Sequence, residues 1–258
     1  EICACLVGSE MCIRDSTNGV FRAGCMRMAG AWREWEVTMQ QTVGVQNGCN
    51  REKETEHMKP KIRMVGLDLD GTVFNNNKEI STHTRSVLKE AIRQGCIVLP
   101  ATGRPEIGLP GAFLEIPGVE YALTSNGARI IRIPSGETVY EELIPWEVAL
   151  QVIEVMKQWE GESCNWETYF AGNIYVEEET YHFVKHESMS PAMERYIRST
   201  RTRRKYLTEK IREEKIGMEK LHLIFADTRE RDCREKELQQ MFPNLSICHA
   251  TPFNIEII

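Results

Sequence analysis

Short apolar runs recur along this chain, and each ends in a polar turn. The first is Val65-Gly66-Leu67, which stops at Asp68-Leu69-Asp70-Gly71. A run of that length bounded by turn residues reads as a buried strand. Asn75-Asn76-Asn77 marks a turn. Ser81 then stands where an N-cap belongs, Val87, Leu88, Ala91 and Ile92 fall on one helical face, and Gly95 closes the helix. Ile97-Val98-Leu99 is a second strand and Tyr121-Ala122-Leu123-Thr124 a third. Strand, helix, strand in that order is a right-handed parallel crossover. Ile130–Ile133 and Glu137–Tyr140 flank Pro134-Ser135-Gly136 as a hairpin. Pro145 opens a helix with Val148, Val152, Ile153 and Met156 on its face. Strands at 165–170 and 174–176, helical material, a strand at 221–225, a helix over 228–241 and a strand at 245–248 follow. That order predicts an α+β domain inserted after the third core strand.

Ligands of an open α/β sheet bind beyond the carboxyl ends of its strands. Three successive strand ends here supply acids, a hydroxyl and an amide. Asp68 can attack an electrophile as a carboxylate nucleophile. Asp70 can give or take a proton. Both bring hard oxygen ligands suited to Mg²⁺, and Gly71 lets the backbone turn sharply. A plain turn has the same composition. A calcium loop does not fit, because Val73 and Phe74 stand where further oxygen ligands are needed. At the second strand end Thr102 offers a hydroxyl, Gly103 a close backbone approach to an anion, and Arg104 a planar fork of donors. Pro100, two residues earlier, removes a ladder donor from what should be an inner strand.

Asp68-Leu69-Asp70-Gly71-Thr72, Ala101-Thr102-Gly103-Arg104-Pro105 and Thr124-Ser125-Asn126-Gly127-Ala128 together resemble the haloacid dehalogenase-like superfamily. Within it they look like the Cof-type sugar-phosphate phosphatases, from about Met58 to Ile258. The resemblance implies an α/β fold: a Rossmann-like parallel core, incomplete here, over 58–142, with an inserted α/β cap over 143–258. It implies a Mg²⁺-dependent phosphomonoesterase acting on small phosphorylated metabolites, sugar phosphates first. By the resemblance Asp68 becomes an aspartyl phosphate, and Asp70 is general acid for the leaving alcohol and then base for water. Asp68, and Asp70 through its backbone carbonyl, serve the metal. Thr102 and Gly103 hold the phosphate, and Arg104 and Asn126 serve substrate or structure. The family continues with a Lys-Gly and a Gly-Asp-x-x-Asn-Asp, and neither occurs in this chain. Lys220 falls in the cap and is not assigned the lysine's role. Little activity is therefore expected from these residues alone. The competing reading is a shortened, non-catalytic protein that binds phosphorylated ligands or a partner.

Leu6–Ser16 resembles a translated sequencing adaptor, so residues 1–57 are expected to be an artefactual or disordered leader, set aside from fold reasoning. A chain 41% apolar and 27% charged is ordinary for a globular protein. Its net charge of −6 argues against general nucleic-acid affinity, and no apolar run is long enough for a bilayer. Five of the nine cysteines precede Met58; Cys96, Cys164, Cys233 and Cys248 show no metal spacing and read as reduced thiols in a cytoplasmic protein. Arg195, Arg198, Arg201, Arg203, Arg204 and Lys205 form a basic run, which Glu209, Glu213, Glu214 and Glu219 dilute into a solvated face. His182 and His186 could share a helix face, but zinc needs further ligands, so a surface pair is expected. Trp166 and Tyr169 read as core or sheet face sooner than as substrate contacts.

Overall fold

The structure is a computed structural model that describes residues 3–6, 11–14, 62–75 and 79–258. The chain falls into two units, the first made of Glu1–Thr102, Gly111–Leu123 and Ile130–Tyr140. Its strands β1 (Cys3–Leu6), β2 (Met11–Arg14), β3 (Met64–Leu67) and β4 (Ile97–Pro100) form a sheet in the order β2-β1-β3-β4. Strands β3 and β4 run parallel, from Met64 opposite Ile97 to Leu67 opposite Pro100. A parallel bridge from Ala101 to Leu123 extends the array to β5 (Tyr121–Thr124). Strand β5 begins a second sheet with β6 (Arg129–Arg132) and β7 (Glu137–Glu141), the expected hairpin. Of the expected leader, only β1 and β2 are described; β1 lies parallel to β3 through Cys5 and Leu67. The rest of residues 1–57 lies outside the described residues.

Helix α1 (Thr82–Arg93) starts where Ser81 Oγ accepts the Thr84 amide at 3.0 Å, and Gly95 leaves it with φ +83°. Leu88 is buried, but Val87 is 52% exposed, which corrects the expected face. Neighbouring helical residues point about 100° apart, and the stripe through Leu88, Ala91 and Ile92 is the one that packs. With Leu69, Phe74, Val98 and Phe113 of the short helix α2 (Gly111–Leu114) they form a core on one side of β3 and β4. Pro100 is accommodated by the direction of its missing donor. The Ile97 and Ala101 amides donate to Arg63 and Leu67, so the odd positions of β4 face β3. Position 100 faces the other way, where pairing with β5 begins only at Ala101.

The second unit comprises Gly103–Pro110, Thr124–Arg129 and Glu141–Ile258. Helix α3 (Trp146–Met156) follows Pro145, as the sequence predicts. Strands β8 (Cys164–Phe170), β9 (Asn173–Glu177), β10 (Arg201–Arg204), β11 (Lys220–Phe225), β12 (Ile247–Cys248) and β13 (Asn254–Ile257) make a sheet in the order β10-β9-β8-β11-β13-β12. Only β10 with β9 is parallel; the other pairs are antiparallel. The remaining helices are α4 (Pro191–Thr200), α5 (Leu207–Glu214) and α6 (Thr228–Met241).

Period-two alternation sorts this sheet into two buried faces. Trp166, Phe170, Leu221, Leu223, Phe225, Ile255 and Ile257 pack with Val152, Ile153 and Met156 of α3. The opposite face carries Asn165, Glu167, Tyr169, Lys220, His222, Asn254 and Glu256, all buried. Trp166 is thus core, and Tyr169 lies on the polar face. His182 and His186 lie in an irregular segment instead of on a helix, and His186 stacks on Phe253 at 4.1 Å. The fold class is α/β, a Rossmann-like parallel core with an inserted α+β domain. No helix among the described residues is long and apolar enough to cross a membrane.

Candidate functional site

In the first unit, β3 ends at Asp68, which is still extended (φ −65°, ψ 144°), and the chain then forms one π-helical turn, Leu69–Val73. Such wide turns leave the regular backbone ladder and recur at functional sites. The Phe74 amide closes it on the Leu69 carbonyl at 3.1 Å. Leu69 is fully buried and anchors the turn, whereas Asp68 is half-buried and Asp70 exposed. Thr72 Oγ1 donates to Asp68 Oδ2 at 3.0 Å, fixing the carboxylate's rotamer across the turn. At the end of β4, Thr102 is buried and its amide donates to the Leu123 carbonyl at 3.0 Å. Asp68, Asp70 and Thr102 therefore belong to one unit.

Gly103, Arg104 and Asn126 belong to the second unit. Ser125 and Asn126 are both left-handed, with φ 49° and 60°, and Gly127 follows at φ 97°. A left-handed L-residue costs about 1–2 kcal/mol, least for Asn, so this turn needs outside support. Ser125 Oγ donates to Glu219 Oε2 at 2.6 Å. The Asn126 amide is held at both ends: Nδ2 donates to Glu256 Oε2 at 2.6 Å, and Oδ1 accepts from Lys220 Nζ at 3.0 Å. Lys220 also donates to the Gly103 carbonyl at 2.8 Å and to Glu256 Oε1 at 3.1 Å. A Cβ on Gly103 would stand 2.9 Å from Asn126 Oδ1, so only glycine admits the amide there. Arg104 donates to the Gly108 carbonyl at 3.1 Å and lies 4.6 Å from the centre of the Tyr196 ring.

A buried ionic ladder crosses the polar face of the sheet. Arg201 grips Glu167 with two bonds of 2.8 Å, and His222 Nδ1 lies 2.9 Å from Glu167 Oε2. Asn254 Oδ1 accepts from the Ala250 and Thr251 amides and the Thr251 hydroxyl, so Nδ2 is the donor facing His222 Nε2 at 3.0 Å. The His222 proton therefore sits on Nδ1 and points at Glu167. Arg201 is 5% exposed, which corrects the expectation of a solvated basic face at that position. Elsewhere in the run, Arg198 pairs with Glu194, Arg203 lies over Tyr181 and Arg204 over Tyr175. Burial raises Cys164 to about 12 and Cys248 to about 11, so both remain protonated thiols without nucleophilic character.

Burial works against the charge on Glu167 and on Glu256. The Arg201 guanidinium, with the His222 hydrogen bond, outweighs it at Glu167, and the Lys220 ammonium outweighs it at Glu256, so both carboxyls are held below the ordinary range. A depressed folded-state pKa contributes stability above the unfolded carboxylate value of about 4.3, and loses it as pH falls below that. The urea midpoint is therefore expected to drop steeply below pH ~4.3. In Glu167→Gln/Glu256→Gln the acid slope should be shallower. An identical slope in variant and parent would show that other groups drive acid unfolding.

The family model for haloacid dehalogenase-like hydrolases matches residues 65–258, three quarters of the chain. The chain belongs to that family. The haloacid dehalogenase-like chain is 26% identical over 115 residues to phosphatase YwpJ of Bacillus subtilis, covering 45% of this chain and 39% of that protein. It is 28% identical over 93 residues to a Streptococcus pyogenes protein described as a phosphatase, covering 35% of each. It thus spans well under half the length of these curated relatives. Among solved structures it resembles TM0651 of Thermotoga maritima, with TM-score 0.59, 26% identity and coverage of 77% and 69% of the two chains. It also resembles the subclass IIB sugar phosphatase BT4131, with TM-score 0.56, 18% identity and coverage of 76% and 69%.

The sequence alone did not mark Glu219, Lys220 and Glu256 as supports of the Asn126 turn. Their separations from it, 94 residues for Ser125–Glu219 and 130 for Asn126–Glu256, leave no local spacing signal. One cue was present: Lys220-Leu221-His222-Leu223 and Asn254-Ile255-Glu256-Ile257 alternate polar with apolar residues in strands buried on both faces.

Proposed function

We propose that this chain carries the nucleophile of a phosphomonoesterase for small phosphorylated metabolites, sugar phosphates first. The observation that carries this reading is the Asp68–Thr72 arrangement at the carboxyl end of β3. A carboxylate with a fixed rotamer stands there, with an exposed second acid, Asp70, inside the π-helical turn that follows. The family match, the relative named a phosphatase and the fold shared with a sugar phosphatase support it.

In the proposed reaction an Asp68 oxygen bonds to phosphorus as the bond to the ester oxygen breaks. Asp70 gives its proton to the departing alcohol. A water molecule, deprotonated by Asp70, then attacks the phosphoryl-aspartate and releases inorganic phosphate and the Asp68 carboxylate. Thr102 and Gly103 bind the phosphoryl oxygens, and Arg104 serves substrate or structure, engaged with the Gly108 carbonyl and the Tyr196 ring. Asn126 shapes the third strand-end turn, since both ends of its amide are engaged by Lys220 and Glu256. Residues 143–258 act as the cap that selects the leaving group.

Asp68 and Asp70 would hold a divalent cation, Mg²⁺ first. No group of three or more His, Cys, Asp or Glu among the described residues could hold a metal. The Asp68 carboxylate and the Asp70 backbone carbonyl still suit Mg²⁺, which takes one or two carboxylates from protein and fills the rest with water and substrate oxygens. When bound, the cation would neutralise phosphate charge. The chain contains no Lys-Gly and no Gly-Asp-x-x-Asn-Asp, so slow turnover is expected. The test is incubation of the 258-residue chain with a panel of sugar phosphates and nucleoside monophosphates, with and without EDTA. Acid-stable, hydroxylamine-sensitive phosphate on the Asp68 peptide, lost with EDTA, is the expected result. Ligand binding with no label at Asp68 would favour the non-catalytic phospho-ligand protein instead.

A further inference from the structure

Two neighbouring residues of β11, Glu219 just before it and Lys220 at its start, grip two neighbouring residues of a strained turn. Glu219 takes the Ser125 hydroxyl at 2.6 Å and Lys220 the Asn126 carbonyl oxygen at 3.0 Å. The same pair reaches further. Glu219 Oε1 accepts the Gly172 amide at 2.7 Å, and Lys220 holds the Gly103 carbonyl at 2.8 Å. Backbone bonding links the two turns directly, since the Ser125 amide donates to the Arg104 carbonyl at 2.9 Å. An ammonium has three donors, and Lys220 spends them on Gly103, Asn126 and Glu256. Glu219 and Lys220 are 1% and 2% exposed, while Gly103 is exposed and Asn126 half-buried. The support is inside; of the supported residues Ser125 is buried with it, and Gly103 and Asn126 reach toward the surface.

We propose that Glu219 and Lys220 are positioning residues for oxyanion binding, which keep the Gly103 peptide and the Ser125–Gly127 turn in their binding shape. This rests on the phosphatase reading above and adds to it two residues of the inserted domain. Two residues that served only packing would contribute to stability and leave ligand affinity untouched. A positioning pair must alter the mobility of the turn and the affinity for phosphate at nearly constant stability.

The test is Lys220→Met/Glu256→Leu in the full chain, which removes the ammonium together with its carboxylate and so leaves no buried charge unpaired. Amide exchange over residues 124–129 is followed by mass spectrometry, and affinity for inorganic phosphate by ³¹P line broadening. The expected result is a melting temperature near that of the parent, exchange at 124–129 faster by about tenfold or more, and phosphate affinity weaker by about tenfold. Ser125→Ala, a smaller change that cuts only the Glu219 arm, should move both readouts in the same direction by less. If the double variant does not fold, Ser125→Ala decides the matter. Binding by the parent with equal binding and exchange in the variant overturns the positioning role alone. A parent that binds no phosphate at all overturns the phosphatase reading and this proposal with it.

Discussion

Asp68→Asn is expected to abolish phosphoryl transfer, a fall on the order of 10³-fold or more even against a slow parent rate. An amide has no anionic oxygen to form the bond to phosphorus. It has nearly the volume of the carboxylate, and its Oδ1 can still accept the Thr72 hydroxyl that now reaches Asp68. Stability should therefore hold, and phosphate binding should change little. Phosphate release and the label on the residue-68 peptide are to be measured side by side with a thermal melt. Turnover that survives in a folded Asp68→Asn chain would remove Asp68 from the chemistry. Loss of the fold itself would mean the carboxylate has a structural task that Thr72 alone does not reveal.

The largest effect on stability is expected at Arg201. Arg201→Met leaves the Glu167 carboxylate in a site with no exposure, facing the His222 imidazole and the Tyr169 hydroxyl with no cation bonded to it among the described residues. Breaking a buried pair from one side typically costs about 3–5 kcal/mol, because an uncompensated charge stays behind. The double variant Arg201→Met/Glu167→Leu removes both charges and should recover most of that loss. Urea denaturation followed by fluorescence of the buried Trp166 reads both variants. A single-variant cost below about 1 kcal/mol is what a solvent-screened pair gives, and it would contradict the buried ladder.

Much of the fold was legible because the local signals agree with the tertiary ones. The apolar run before Asp68, the Ser81 cap, the Pro145 helix start and the alternation around Lys220–Phe225 each carry their own physical instruction. Strand β10 was hidden because Arg-Thr-Arg-Arg has the composition of a solvated loop. It forms because β9 offers a parallel ladder from Ile174 to Glu177, and Glu167 neutralises Arg201 from β8, two strands away. Neither partner is readable from the run itself. The same holds at the site. The strand ends named Asp68, Asp70, Thr102 and Gly103 as candidates from their spacing. The support for Asn126 comes from residues far along the chain, and spacing says nothing about them. Asn126 itself was expected to serve substrate or structure, and its hydrogen bonds engage both ends of its amide within the protein.

The six-stranded sheet has its two outer strands at β10 and β12. An outer strand with open hydrogen-bonding groups is a template on which a second chain can add a strand. Here one border carries the exposed Arg203 and the half-buried Arg204, and the other is only two residues long. A like strand approaching the first meets its own charge, and one approaching the second finds too little backbone to pair with. The basic run thus acts as a guard against fibre growth from this sheet, whatever it contributes to the handling of anionic ligands.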